Sequence, residues 1–419
     1  MNTNIRINSS RLWDSIMETA KIGGTPKGGV KRLTLTDLDA QVRHWFIARC
    51  KEAGCEVYYD DMGNIFARRA GRDSSLPPIA VGSHLDTQPT GGKFDGILGV
   101  LAGLEIIRTL NDANIQTNAP IEIINWTNEE GSRFSPAMLS SGVFAGVFDK
   151  NYAYKREDRE GLKFGDELKR IGFVGEEPCG SHKLSAHLEL HIEQGPILED
   201  EEKTIGIVTG IQSIRWYEVT VSGVECHAGS TPMRLRQDAL VIAAKMIQAV
   251  QAAALTHGPD AVATVGLLEV SPNSRNVIPG GVFFTVDLRD PSDEVVALME
   301  EEIKKEFSKI IDTSHVTYVL ERTFYSPAVY FNPTCIAEVE KSAALMNYSA
   351  RKMVSGAGHD SAYTAKIAPT TMIFVPCEKG ISHNEAERTE PAHVAAGADV
   401  LLHVVLGIDA KLARAEGFN

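Results

Sequence analysis

His84, Asp86 and Asp95 share one loop rich in glycine and proline, Gly82-Ser-His-Leu-Asp-Thr-Gln-Pro-Thr-Gly-Gly-Lys-Phe-Asp-Gly96. An apolar run, Ile79–Val81, leads into it, and a second, Ile97–Leu104, follows it. An imidazole and two carboxylates at the end of a buried strand have the chemistry of a divalent-metal site. The same three residues would also serve a turn in which Asp95 caps a helix and His84 is satisfied by hydrogen bonds.

Four further stretches carry candidate groups. In Glu129-Glu130 one carboxylate can bind metal while its neighbour stays free as a base, although alone the pair also fits an exposed acidic turn. In His187-Leu-Glu-Leu-His-Ile-Glu-Gln194 a strand period of two puts His187, Glu189, His191 and Glu193 on one face and Leu188, Leu190 and Ile192 on the other. Four ionisable groups on one face are costly to bury unless paired or metal-bound, so the face is either functional or a solvated edge. Gly380-Ile-Ser-His-Asn384 places a His just past an apolar strand, and Ser355-Gly-Ala-Gly-His-Asp-Ser361 sets small residues before His359-Asp360. The latter pattern suits close backbone approach or an oriented His. Competing chemistries lack their motifs. There is no GxSxG elbow and no GxGxxG opening a helix, and Gly91-Gly92-Lys93 is followed by Phe94 rather than Ser or Thr.

The elements that would position these groups alternate. Helical periodicity covers Ser9–Ile22 and Leu35–Ala53, the latter with Thr36 and Asp39 spaced like a capping box. Strands are expected at Glu56–Tyr59, Asn64–Arg69, Pro78–Gly82 and Ile121–Thr127, with a helix over Gly96–Leu110. This predicts an α/β layer with a mixed, largely parallel sheet. From Arg215 to Phe324 the rhythm changes to β-α-β-β-α-β: Trp216–Val221, Arg236–Leu255, Ala261–Val270, Gly281–Arg289, Asp293–Ile311 and His315–Phe324. That order is the ferredoxin-like split βαβ unit, so residues 212–329 read as an inserted α+β domain within a catalytic domain of 1–211 plus 330–419. The α/β pattern resumes with helix Thr334–Met346, strand Thr370–Val375 and helix Pro391–Leu406.

A chain of 419 residues with 43% hydrophobic and 23% charged residues is long enough for two or three globular domains. Its net charge of −13 argues against nucleic acid as a partner. The six cysteines show neither CxxC nor a disulfide-framework spacing, which fits a reducing compartment. The first residues lack the apolar core of a signal peptide, and no stretch is expected to cross a membrane. A cytoplasmic location is therefore expected.

Taken together, these stretches resemble the zinc-dependent hydantoinase/carbamoylase family of di-metal amidohydrolases, within the peptidase/aminoacylase-like superfamily. The likeness covers nearly the whole chain. It is specific in Gly82-Ser-His-Leu-Asp-Thr87, Gly92-Lys-Phe-Asp-Gly-Ile-Leu-Gly99, Asn128-Glu-Glu-Gly-Ser-Arg-Phe134 and His191-Ile-Glu-Gln-Gly195. It continues in His227-Ala-Gly-Ser-Thr-Pro232, Asn276-Val-Ile-Pro279, Gly356-Ala-Gly-His-Asp360 and Ser382-His-Asn384. Within the family the motifs are most similar to the β-ureidopropionase and L-carbamoylase subgroups, and allantoate amidohydrolases share most of them. The resemblance implies a di-metal aminopeptidase-like catalytic domain with an inserted dimerisation (lid) domain. It implies two divalent ions per subunit, zinc first, with manganese, cobalt or nickel also suited to these donors. Asp95 would bridge them, His84 and His191 would hold one, and Glu130 and His383 the other. Asp86 would orient His84, and Glu129 would be the general acid/base. Gln194, Asn276 and Arg289 would surround a substrate carboxylate, with Gly358, His359 and Ser382 as further substrate contacts. His227 would reach the site of the partner subunit in a homodimer. One departure is Ser132, where many relatives have Ala; it lies outside the ligand set.

The activity implied is hydrolysis of an N-carbamoyl amino acid, of the β-alanine or the L-α type, to amino acid, ammonia and carbon dioxide. Alternatives on the same site are an allantoate amidohydrolase, an aminoacylase or a dipeptidase. An inactive binding protein on this fold is the alternative from another class.

Overall fold

The computed structural model describes residues 5–312 and 314–414. Its first helix, α1 (Ser9–Thr19), is capped by Asn8, and α2 (Asp37–Glu52) by Thr36, whose hydroxyl accepts the Asp39 N–H. Asp39 returns the bond one residue further out than a capping box would, accepting the Leu35 N–H at 2.8 Å. Strands β1 (Glu56–Tyr59), β2 (Ile65–Arg69) and β3 (Ile79–His84) follow, then α3 (Ile97–Asp112), β4 (Ile121–Trp126), β5 (Ala186–Ile192) and β6 (Ile205–Ile211).

From β6 the chain passes into a separate unit, Gly210–Val329, distinct from the unit formed by Met1–Thr209 and Tyr330–Asn419. The inserted unit holds β7 (Ser213–Ser222), a short β8 (Cys226–His227), β9 (Val262–Thr264), β10 (Leu268–Ser271), a short β11 (Val277–Ile278), β12 (Gly281–Asp290) and β13 (Thr317–Ser326). Its sheet runs β10-β12-β7-β13, with β9 also on β12. The single strand expected over Ala261–Val270 is two. Thr264 faces Asp287 and Leu268 faces Phe284, so four steps on one strand match three on the other. The extra residue is a bulge, which alternation of residue types does not reveal. The helices Ala239–Thr256 and Asp293–Asp312 cover one face through Ile242, Met246, Val250, Val296, Met299, Ile303 and Phe307.

The chain returns with β14 (Val329–Tyr330), β15 (Ala350–Ser355) and β16 (Thr370–Val375). The large sheet runs β1-β2-β4-β3-β5-β16-β6-β14, with β15 paired to β6. Its four central strands, β4, β3, β5 and β16, are parallel, and the strands on each side join antiparallel. Because β3, β4, β5 and β16 are buried throughout, they read as largely apolar runs.

The expectation that no stretch is apolar enough to span a membrane needs correcting. By length and composition Ala239–Thr256 and Pro391–Ala413 both are. Each has an identifiable partner within its own unit. Val394, Leu401, Leu402 and Val405 of the second belong to the core of the large sheet, and Ala243, Met246 and Val250 of the first to the core of the inserted sheet.

Candidate metal centre

Four parallel strands end at one edge of the large sheet, and each delivers site residues there, where ligands bind in open α/β sheets. His84 closes β3, the Thr127–Glu130 turn follows β4, His191 lies at the end of β5, and the Cys377–Glu387 loop follows β16. Four non-glycine residues in the left-handed region, Asn128, Gln194, Lys379 and His383, occupy these turns. Such conformations persist where surrounding structure over-determines them, as at ligand-holding sites.

The geometry is organised about Asp95. Its Oδ1 is 3.5 Å from His84 Nε2 and 3.3 Å from His191 Nε2, and its Oδ2 is 3.5 Å from His383 Nε2. Glu130 Oε2 lies 3.5 Å from the same His383 nitrogen. Donors about 2.1 Å from one zinc-sized ion sit roughly 3.4 Å apart at tetrahedral angles, so these spacings fit two donor groups sharing a carboxylate. His84, Asp95 and His191 form one set and Asp95, Glu130 and His383 another, each with ligand atoms within 4.8 Å of one another; Glu189, His191 and His359 form a third such group, which does not include Asp95. Ring orientation agrees. His84 Nδ1 donates to the Asp86 carbonyl at 2.9 Å and His191 Nδ1 to the Ile192 carbonyl at 2.9 Å, which leaves both Nε2 lone pairs pointing inwards. His191 Nε2 also accepts the Gly96 N–H at 3.1 Å.

Charge supports a cation here. The carboxylates of Asp95, Glu129 and Glu130 are buried, and among the described residues their ion-pair partners are histidines only. Burial pushes Glu129 and Glu130 well above the ordinary carboxylate range; Asp360 and Glu130 add to it at Glu129, Asp95 adds to it at Glu130, and His84 opposes it at both. Burial acts on Asp95 in the same sense, but His191 and His84 outweigh it and hold that carboxyl well below the range. So many buried carboxylates without Lys or Arg are sustainable when a cation joins them.

The supporting contacts are more specific than residue spacing could show. Asp86 meets His84 chiefly through its backbone; its carboxylate accepts the Glu129 and Glu130 N–H groups at 3.3 Å each and so aims the carboxylate pair. Gln88 donates to Glu130 Oε2 at 2.6 Å. Gln194 donates to Asp95 Oδ2 at 2.8 Å, and Ser382 donates to the same oxygen at 2.9 Å. Gly96, at φ +70°, lies against His84 so closely that a Cβ would come within 2.4 Å of its ring atoms.

Of the four ionisable residues on the alternating strand, only His191 enters both the strand and this centre. Glu193 caps the short helix Ile197–Asp200, accepting the Ile197 and Leu198 amides at 2.8 Å. Glu189 accepts from Ser83 at 2.7 Å and Ser361 at 2.6 Å. His187 lies between Trp126 Nε1 at 3.3 Å and Thr364 Oγ1 at 3.2 Å, and burial depresses it to about 3, so it is neutral. His359 stacks edge-on against His191, with ring centroids 4.7 Å apart, and Ser355 takes its Nε2 at 3.0 Å. Gly358 precedes it beside Met138. Asp360, which hydrogen-bonds Ser141, keeps Oδ2 buried and without a hydrogen-bond partner.

His227, Asn276 and Arg289 belong to the inserted unit. His227 on β8 faces Val277 on β11, and the Ala228 N–H donates to the Asn276 carbonyl at 2.9 Å, so the first two are neighbours. His227 is exposed, and its Nδ1 accepts the Gly229 and Ser230 amides at 3.0 and 3.2 Å, which leaves Nε2–H as the outward donor of the neutral ring. Arg236 clamps this turn by donating to the Ala228 and Thr231 carbonyls at 2.7 and 3.1 Å. Arg289 is gripped side-on by Asp287, two residues back on the same strand face, at 2.9 and 2.7 Å.

The model of peptidase family M20/M25/M40 matches residues 80–407. An N-carbamoyl-L-amino-acid amidohydrolase of Rhizobium meliloti is 52% identical over 403 residues, covering 96% of this chain and 97% of that protein. A protein of the same name from Geobacillus stearothermophilus is 37% identical, covering 95% and 98%. The solved structure of a hydantoinase/carbamoylase family amidase from Burkholderia multivorans is 54% identical, with a TM-score of 0.95 over 96% of this chain and 98% of that one.

Proposed function

The chain belongs to peptidase family M20/M25/M40, and on that premise we propose that it is a metal-dependent hydrolase of N-carbamoyl-L-α-amino acids, forming the amino acid, ammonia and carbon dioxide. The observation that carries this reading is Asp95, with one oxygen towards His84 and His191 and the other towards His383. His84, Asp95 and His191 would hold one divalent ion and Asp95, Glu130 and His383 a second, zinc being the metal that this donor set suits first. Ions bound there would polarise the carbamoyl carbonyl and lower the pKa of water. Glu129, beside His84 and outside both donor sets, takes the proton of the attacking water and returns it to the leaving nitrogen. By resemblance to the family, Gln194, Asn276 and Arg289 would receive the substrate carboxylate, and a planar guanidinium suits a carboxylate better than a lysine would. The names of the relatives favour L-α-amino acids over β-alanine.

A substrate panel tests this. Ammonia release should be fastest with N-carbamoyl-L-α-amino acids, slower with N-carbamoyl-β-alanine and slowest with allantoate. Hydrolysis confined to N-acetyl amino acids or dipeptides would move the assignment to an aminoacylase or dipeptidase. Silence towards the whole panel in metal-loaded protein would leave a binding protein.

The working assembly is a homodimer joined through the inserted unit, each subunit lending His227 to its partner's site. The outward Nε2–H of His227 supports that role, since it is a ready donor to the oxygen of a tetrahedral intermediate. Subunit mixing provides the check. An inactive His227→Ala chain exchanged with an inactive Glu129→Gln chain gives heterodimers with one site carrying both lesions and one intact. Activity should return to part of the wild-type level. No recovery, with exchange shown by tagged chains, would place His227 outside its partner's site.

A further inference from the structure

One buried carboxylate ties together the two loops that meet at the centre. Glu387 is only 5% exposed. Its Oε1 accepts the backbone N–H groups of Phe94 and Asp95 at 2.9 and 3.1 Å, and its Oε2 lies 3.3 Å from Ser382 Oγ. Ser382 in turn contacts Asp95 Oδ2 at 2.9 Å. The approach is possible because position 92 is glycine: a Cβ there would fall 2.1 Å from the Glu387 carboxyl carbon. We propose that Glu387 is a positioning residue that locks the Asp95 loop to the Ser382-His383 loop and thereby sets the affinity of the Asp95–Glu130–His383 position for its metal.

The two positions differ in how they are built. His84 and His191 lie within β3 and β5, neighbours in the sheet that pair as far as Val81 and Leu188, so each is carried on a strand anchored in the sheet. His383 has no strand beneath it. It sits at φ +54° in a loop, and its side chain is 50% exposed. Its distance from Asp95 therefore depends on what joins the two loops: Glu387 with Ser382 ties their backbones, beside Gln194, whose Nε2 reaches Asp95 Oδ2 at 2.8 Å and both Ser382 Oγ and His383 Nε2 at 3.3 Å. Without Glu387, two buried amides lose their acceptor and the loops lose a common anchor. Groups that orient metal ligands from behind commonly change metal affinity by about 10–100-fold. Here that loss should fall on one position of the two.

The inference rests on the di-metal reading above, and the experiment separates them. Metal-free full-length protein is titrated with Co²⁺, followed by visible absorption and calorimetry. Wild type should take up two ions in resolved steps; uptake of one or none would overturn the di-metal reading itself, and this inference with it. Given two steps in wild type, Glu387→Ala should weaken the second by about 10–100-fold and leave the first within about threefold. Glu387→Gln should recover most of the loss, because its amide oxygen still accepts both backbone N–H groups and its NH₂ can donate to Ser382 Oγ. Equal weakening of both steps, no weakening of either, or equal losses in the Gln and Ala variants would overturn the proposal. If Glu387→Ala fails to fold, Ser382→Ala carries the test. It cuts the tie to Asp95 from the other side and should weaken the second step alone; an unchanged second step would refute the lock.

Discussion

Glu129→Gln should keep its metal ions and lose about 10²–10⁴-fold of its turnover, the usual worth of a positioned acid/base. The side chain is the right one to isolate. Its Oε2 faces His84 Nε2 at 3.5 Å, but it belongs to neither donor set, whereas adjacent Glu130 faces His383 and is held by Gln88. The turn carrying both is fixed by backbone bonds to Asp86, which an isosteric amide leaves intact. Metal analysis and steady-state ammonia release on the same preparation check it. Wild-type turnover would assign the proton transfer to another group, and loss of metal along with activity would make Glu129 a ligand.

Removing the metal should have the larger effect. Dialysis against a chelator should abolish ammonia release, and zinc, manganese, cobalt or nickel should restore it to different extents. The same treatment should lower the melting temperature, since a ligand bound only to the folded chain stabilises it by mass action. The cause is visible in the buried carboxylates of Asp95, Glu129 and Glu130, whose neighbours of opposite charge are histidines alone among the described residues. Full turnover in protein shown by elemental analysis to be metal-free would defeat the metal assignment.

Much of this was legible in residue order. The loop between two apolar runs, the Glu pair after β4 and the alternating strand β5 all end at one sheet edge because strand-then-loop punctuation marks where a parallel sheet stops. The rest depended on contacts that spacing cannot express. Glu193 and His191 look equivalent in a period of two, yet one caps a helix and the other faces Asp95, because the strand ends between them at Ile192. Glu387 sits in the polar run Asn384-Glu-Ala-Glu-Arg388, which reads as surface. Only Gly92, far away in sequence, shows that a side chain must enter there. Arg236 likewise looks like the start of a helix, whereas its guanidinium braces the His227 turn before the helix begins at Ala239.

The strand order β5-β16-β6 has a consequence for how the chain is made. During synthesis β5 and β6 emerge first, yet the strand that belongs between them, β16, leaves the ribosome only after the whole inserted unit, β14 and β15. The large sheet therefore stays open along an unpaired edge while the whole of Gly210–Val329 is translated. That inserted unit has its own core and all its strands in one continuous stretch, so it can fold first. The first half must wait with β5 exposed, and long-range parallel pairing of this kind is slow to form and prone to wrong partners. Truncated chains that stop before Thr370 should thus be the aggregating species, and helper proteins that hold nascent chains should matter most in that interval.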